Sequence, residues 1–168
     1  MEKKPIYTIG HGSRGAGELV ELLKKYHIAY LIDVRSVPYS KHHQQFSKNN
    51  IETLLTTNGI RYVFMGDALG GRPTDPSCYT YGQVDYDIVK TKDFFKAGIE
   101  RLKAAYALDL PVAIMCSERN PAECHRTKLI GSVLTENNIV VKHITETGTL
   151  KDQAQVMNEA SGGKSRLF

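Results

Sequence analysis

The densest chemistry in this chain lies in one stretch, Met115-Cys116-Ser117-Glu118-Arg119-Asn120-Pro121-Ala122-Glu123-Cys124-His125-Arg126, which carries seven ionisable side chains. It joins the end of an apolar run to the start of a helical pattern. A thiol placed beside a helix N-terminus or a cation shifts toward thiolate, the form that attacks electrophiles or binds metal. Cys116, Cys124 and His125 are therefore candidate reactive groups, and Glu118 is a candidate proton carrier. The competing reading makes Cys116 a small buried apolar residue and Glu118 a salt-bridge partner. Cys116 and Cys124 are too far apart in sequence for the close Cys pairs of zinc sites, so no metal is assigned, with a site completed by His11 or Cys78 as the alternative. A phosphatase-type Cys-x5-Arg loop also fails, because Ala122 occupies the arginine position.

A second group precedes this one in the chain. Gly10-His11-Gly12-Ser13 follows the first apolar run, where glycine lets the backbone approach a ligand and the following helix offers free N–H groups. His11 is expected to face that crevice, with a capping or hydrogen-bonded role as the alternative. Asp33 and Arg35 end the second apolar run. They read as a structural ion pair or as groups that orient His11 or clamp an anion. Gly10-x-Gly12-x-x-Gly15 matches the dinucleotide fingerprint, and Asp33 lies roughly 20 residues on, where such folds contact a ribose. A bare glycine pattern is unspecific, and dinucleotide binding is kept as a minority reading. His42 and His43 sit among Lys41, Gln44 and Gln45 and read as a solvated polar loop.

The elements that must position these groups are readable from periodicity. Strands are expected at Ile6 to Ile9, Tyr30 to Val34, Arg61 to Met65, Pro111 to Cys116 and Ile139 to Ile144. Helices are expected at Glu18 to Leu23, Lys48 to Thr57, Phe94 to Tyr106 and Glu123 to Glu136. Strands that alternate with helices usually lie parallel, so the expected fold is a three-layer, doubly wound, mostly parallel five-stranded sheet of Rossmann-like type, helices on both faces. Ligands in such sheets sit at the carboxyl ends of the strands. Two connections are long, Arg35 to Ser47 and Gly66 to about Val84. The second holds Gly70, Gly71 and Arg72, and with Tyr79, Tyr81 and Tyr86 it suggests a lid with a basic, aromatic inner face.

Length and composition bound the rest. The 168 residues, 41% hydrophobic and 24% charged, fit one α/β domain over residues 1–150 and exclude a disordered or fibrous chain. Residues 151–168 read as a poorly ordered or partner-dependent tail. No apolar run is long enough to span a bilayer and Met1 to Ile9 lacks a secretory pattern, so no membrane partner and a cytoplasmic location are expected. Three cysteines at irregular spacing argue for reduced thiols. A net charge of +4 and a pI near 8.9 favour anionic partners only weakly.

Thr8-Ile9-Gly10-His11, Ile32-Asp33-Val34-Arg35-Ser36-Val37-Pro38, Leu69-Gly70-Gly71, Met115-Cys116-Ser117-Glu118, Cys124-His125-Arg126 and His143-Ile144, in this order, resemble the family catalogued as domain of unknown function 488. The resemblance spans Ile6 to about Ile144. That family usually reads Gly-His-Ser where this chain has Gly10-His11-Gly12-Ser13, which makes Gly12 and Gly15 incidental and weakens the dinucleotide reading. The resemblance implies that Cys116, Glu118, Cys124, His125 and Arg126 form a functional signature. Two functions are then expected. The first is an enzyme acting on a nucleotide, a nucleic-acid base or a similar anionic ligand. In it Arg35, Arg72 and Arg126 bind anionic groups, Gly10, Gly70 and Gly71 shape the site, and His11 and Glu118 move protons. Cys116 serves as nucleophile or polarised thiol, with sulfur transfer as a variant. The second is a non-catalytic module that binds an anionic small molecule or nucleic acid. The sequence names no cofactor.

Overall fold

Alternating apolar residues on each strand of the computed structural model, which describes residues 3–162, bury two opposite faces of one sheet. The chain runs through β1 (Ile6–Gly10), α1 (Ala16–Lys25), β2 (Tyr30–Asp33), α2 (Lys48–Thr57), β3 (Arg61–Phe64) and α3 (Gly66–Leu69). A short hairpin, β4 (Tyr79–Thr80) and β5 (Gln83–Val84), and α4 (Tyr86–Val89) lead to α5 (Asp93–Ala107) and β6 (Val112–Cys116). Then come α6 (Ser132–Glu136), β7 (Val141–Ile144), β8 (Leu150–Asp152) and α7 (Gln153–Ala160). The main sheet has the order β3-β2-β6-β1-β7-β8. Its first five strands are parallel, and β8 joins β7 antiparallel.

Residue parity along the strands decides which face each helix covers. Ile9, Leu31, Ala113 and Met115 pack with Leu19 and Leu23 of α1 and with Ile51 and Leu55 of α2. Ile32, Val112, Ile114 and Val141 point the other way, onto Phe95, Ile99 and Leu102 of α5 and Leu129, Ile130 and Leu134 near α6. The result is the three-layer, doubly wound fold that strand and helix alternation predicts, with six strands in place of five. All five expected strands are present.

Strand order places the site. The chain leaves β1 and β2 toward the α1/α2 face and leaves β6 toward the α5/α6 face, while β6 lies between β1 and β2. The carboxyl end of β6 is therefore flanked on both sides by a change of winding direction, the position where open α/β sheets form their crevice. Register brings Gly10 beside Cys116 and Asp33 beside Met115.

Three expectations about elements are corrected. The helix expected over Glu123 to Glu136 is a 3-10 turn at Pro121–Glu123, a π-helical stretch at Arg126–Gly131, and only then α6. Its widened turn fits side chains that compete for the ladder. The Thr127 carbonyl accepts from the Gln153 side-chain amide at 2.9 Å and from the Ser132 hydroxyl at 3.3 Å, and a Cβ on Gly131 would stand 2.3 Å from Gln153 Oε1. The long loop expected from Gly66 to about Val84 contains α3, a 3-10 turn at Pro76–Cys78 and the β4–β5 hairpin. Residues 151–160, read as tail, complete β8 and form α7, because Val156 and the polar Gln153 are both buried against the fold. The remainder of that expected tail, residues 163–168, lies outside the described residues. Among the described residues no helix is long and apolar enough to cross a membrane.

Candidate functional site

The turn after β6 folds back over the end of β1. His11 N–H donates to the Cys116 carbonyl at 3.0 Å and Gly12 N–H to the Ser117 carbonyl at 2.9 Å. At this crossing Gly10 is indispensable, since a Cβ there would lie 1.8 Å from the Glu118 carbonyl oxygen. Gly12, at φ +51°, faces the Arg119 side chain, and Gly15 faces nothing within 4 Å. The space a pyrophosphate occupies in a dinucleotide fold is thus filled here by residues 117–119. Asp33 is fully buried and fully engaged, so it has no free carboxylate for a ribose. These two facts overturn the dinucleotide reading.

Asp33 organises the β2 end of the crevice. Its carboxylate takes Arg35 Nε at 2.9 Å, Arg35 Nη2 at 2.8 Å and the Tyr62 hydroxyl at 2.6 Å. Burial, reinforced by this hydrogen bond, pushes the Tyr62 phenol far above its ordinary range, so Tyr62 stays a donor. The remaining Arg35 nitrogen, Nη1, lies 3.4 Å from His11 Nε2. His11 Nδ1 is 2.9 Å from the Gly12 carbonyl, which can only accept, so Nδ1 carries the proton and Nε2 accepts from Arg35. The ring stacks on Phe46 with centroids 4.5 Å apart. Desolvation, assisted by the Arg35 charge, pushes His11 down to about 4. His11 is therefore a neutral ring with both nitrogens occupied.

The β6 end carries the thiols. Cys116 and Cys124 are 2% and 5% exposed, and the Cys116 thiol donates to the Glu118 carbonyl at 3.5 Å. Burial, with the Cys124 sulfur nearby, holds Cys116 as the thiol, well above the ordinary range. Interaction with the Cys116 thiol holds Cys124 well below it, with further help from His125 and the Arg126 charge. His125 Nε2 donates to the Val34 carbonyl at 3.2 Å, leaving Nδ1, 3.7 Å from Cys124 Sγ, to exchange a proton with the sulfur. Of the two sulfurs, Cys124 is thus the one whose ionisation is favoured.

Among the described residues Arg126 is the largest fully buried side chain. Its hydrogen bonds go to neutral oxygens, the Thr8 hydroxyl and the Arg119 carbonyl, both at 3.2 Å. Its Nε has no partner among the described residues. A buried guanidinium is costly without an anion, and its charge favours ionisation of both neighbouring sulfurs. The Thr8 hydroxyl passes its own proton to His143 Nδ1, and His143 Nε2 donates to Gln153 Oε1 at 2.6 Å. This chain ties the site to α7. Desolvation first, and the Arg126 charge next among the causes that oppose protonation, push His143 down to about 4.

Both buried histidines have folded-state values below the ordinary 6.5, so the unfolded chain binds more protons than the folded one between pH 6.5 and 4. Their contribution to stability is complete above pH 6.5 and is lost as pH falls toward 4. Each shift corresponds to a cost on the order of 3 kcal/mol. Denaturant midpoints should fall steeply between pH 6.5 and 4, and His143→Gln should flatten that dependence.

A cavity of about 480 Å³ opens above the thiols, between Arg35, Ser36 and Val37 on one side and Glu118, Glu123 and His125 on the other. Gly71, Arg72 and Tyr86 close it from the second long connection. Gly70 is held against Ser36, whose hydroxyl accepts Arg72 N–H at 2.8 Å, and Gly71 abuts the His125 ring. Glu118 and Arg72 are exposed at the rim. A second chamber, about 340 Å³, lies across Arg35, Val37 and Ser117 and is bounded by His11, Lys41 and His43. Among the residues proposed from sequence, Cys116, Cys124, Glu118, His125, Arg35, Gly71 and Arg72 meet at the first cavity. His11 sits at the second. Gly10, Asp33, Gly70 and Arg126 act from behind the walls. Among the described residues, no three His, Cys, Asp or Glu side chains converge as a metal set.

Sequence reasoning missed Thr8 and Arg14. Arg14, 7% exposed, donates to the Gly10, Thr145 and Glu146 carbonyls and pins the β1 turn to the end of β7. Nothing in its flanking polar residues signals burial. Of the three tyrosines assigned to a lid, Tyr86 lines the cavity and lies near Cys124. The Tyr79 hydroxyl is spent on the Pro73 carbonyl, and Tyr81 stands fully exposed at the hairpin tip.

No curated protein matches the chain. The match to a family model covers the segment from α1 into α6, which includes both thiols, Asp33, Arg35, Gly70, Gly71, His125 and Arg126, while β1 with Gly10 and His11 precedes it. Residues 16–133 match the model described as Domain of unknown function DUF488, well over half of the sequence, and the chain belongs to that family.

Proposed function

We propose that this protein is an enzyme that acts on a nucleotide, a nucleic-acid base or a similar anionic ligand by nucleophilic attack from Cys124. The observation that carries this reading is the thiol pair lining the cavity, with His125 Nδ1 3.7 Å from Cys124 Sγ and the nearby Cys116 and buried Arg126 favouring its ionisation. A thiolate stabilised this way is present at neutral pH without an external base. His125 returns a proton to the leaving group through Nδ1. Arg72, exposed at the rim, meets the anionic part of the substrate, and Glu118 and Tyr86 border the reacting group.

The role first expected of Cys116 passes to Cys124 in this scheme. Cys116 becomes the neighbouring thiol that favours its partner's ionisation. Alkylation by iodoacetamide across pH tests the assignment. Rapid modification should persist well below the pH at which free cysteine reacts, disappear in Cys124→Ala, and shift to higher pH in Cys116→Ala. Nucleoside monophosphates and free bases should slow it by occupying the cavity. A single profile that follows free cysteine in every variant would remove the nucleophile from this proposal.

A further inference from the structure

We infer that Cys116 and Cys124 work as an attacking and a resolving thiol that reduce a small anionic disulfide, closing into a disulfide of their own. This rests on the reading of Cys124 as the attacking sulfur and extends it to a substrate class that contains sulfur. Three observations carry it. The two side chains are near enough to act on one another's ionisation, while Cys116 Sγ donates to the Glu118 carbonyl at 3.5 Å and Cys124 Sγ lies 3.7 Å from His125 Nδ1. Both border the same cavity, so a molecule that reaches Cys124 also lies beside Cys116. The third cysteine, Cys78, is fully buried in the core cluster and does not border that cavity, which leaves a two-thiol system.

The backbone suits closure. Cys116 ends a central strand buried along its whole length, whereas Cys124 lies in extended backbone between a 3-10 turn and the π-helical stretch. Residues 117–120 between them are exposed. Forming an S–S bond of about 2.0 Å requires a movement that brings the two sulfurs into bonding contact. The Cys124 side of the pair can supply it without disturbing the sheet.

The steps balance as two thiol–disulfide exchanges. Cys124 thiolate attacks one sulfur of the substrate R–S–S–R, forming Cys124–S–S–R and expelling RS⁻. The Cys116 thiol, no longer beside a charged sulfur, then gives its proton to the expelled thiolate. The resulting Cys116 thiolate, facing the same Arg126 charge, attacks Cys124 Sγ and expels the second RS⁻. Two protein thiols are oxidised and one external disulfide is reduced to two thiols. An external dithiol returns the pair to its starting state. Arg72 at the rim and Arg126 below favour negatively charged disulfides.

The test uses the full chain and dithiobis(nitrobenzoate), a disulfide with two carboxylates. The reduced protein should release about two coloured thiolates per chain, the second at a rate independent of reagent concentration. Its intact mass should end about two units below the reduced protein, with peptide mapping joining Cys116 to Cys124. Cys116→Ala should release one thiolate and retain the mixed disulfide on Cys124. A wild-type protein that keeps a nitrobenzoate adduct on Cys124, or that pairs either cysteine with Cys78, overturns the inference while leaving the attacking role of Cys124 standing. No rapid release at neutral pH overturns both. The wild-type mass decides the matter even if Cys116→Ala does not fold.

Discussion

Arg126→Met is expected to leave the protein folded while making Cys124 an ordinary thiol. Among the described residues Arg126 is fully buried and hydrogen-bonds only neutral oxygens, so in the proposed scheme its charge is balanced by the Cys124 thiolate. Removing one partner of a buried ion pair is usually severe because the other charge stays behind uncompensated. Here the other charge can leave by taking up a proton. Methionine fills much of the volume, the Thr8 hydroxyl keeps His143, and the Arg119 carbonyl belongs to an exposed residue. The net change in unfolding free energy should stay within about 2 kcal/mol, since apolar replacements of buried ion pairs are often neutral or stabilising. Alkylation near pH 6.5 should slow by about tenfold, equivalent to about 1.4 kcal/mol of lost thiolate stabilisation. Denaturant titration and the iodoacetamide profile measure the two separately. An unaltered profile would show that Arg126 does not hold the thiolate. A loss of 4 kcal/mol or more would make Arg126 a structural brace.

The same residue shows what a sequence can and cannot disclose. Cys116, Cys124, His125 and Arg126 stand out by type and by their position at a strand end, and the alternation of Ile6 to Ile9 or Val112 to Cys116 with helical periods marks the doubly wound fold. Assigning the nucleophile required geometry. Whether Cys116 or Cys124 holds the proton depends on which has His125 beside it, since the Arg126 charge reaches both, and neighbours in space are invisible to spacing. Gly10 reads equally well as a phosphate turn or as a crossing point, and the 1.8 Å approach of the Glu118 carbonyl decides for the crossing. The π-helical stretch escaped because its cause, the Gln153 amide on the Thr127 carbonyl, comes from a helix more than twenty residues away. That helix was itself read as tail. Gln153 looks solvent-facing by composition and is buried because His143 and Thr127 offer it partners.

The second face of the crevice depends on Asp33, and Asp33→Ala should be among the most destabilising single changes in the protein. Arg35 donates through its side chain twice and through its backbone N–H once to this carboxylate, and the Tyr62 hydroxyl also ends there. The side chains of Asp33 and Arg35 are 0% and 5% exposed. Unlike the thiol opposite Arg126, the Arg35 guanidinium cannot shed its charge when its partner is removed. An uncompensated buried cation and an unpaired phenol remain, and breaking such a pair costs about 3–5 kcal/mol. For a domain of this size that lowers the melting temperature by roughly 10 °C or more. The double variant Asp33→Ala with Arg35→Met removes the stranded cation and should recover more than half of the loss, a coupling that a thermodynamic cycle over the four proteins measures directly. Additive losses would mean that the pair is not coupled. The recovered double variant also isolates the wall between the two chambers, because Arg35 borders both and its Nη1 orients His11. If Cys124 in that stable variant keeps its low-pH alkylation while nucleotides no longer protect it, the two ends of the crevice have separate duties: Asp33 and Arg35 shape the space for the ligand, and Arg126 with Cys116 prepares the sulfur.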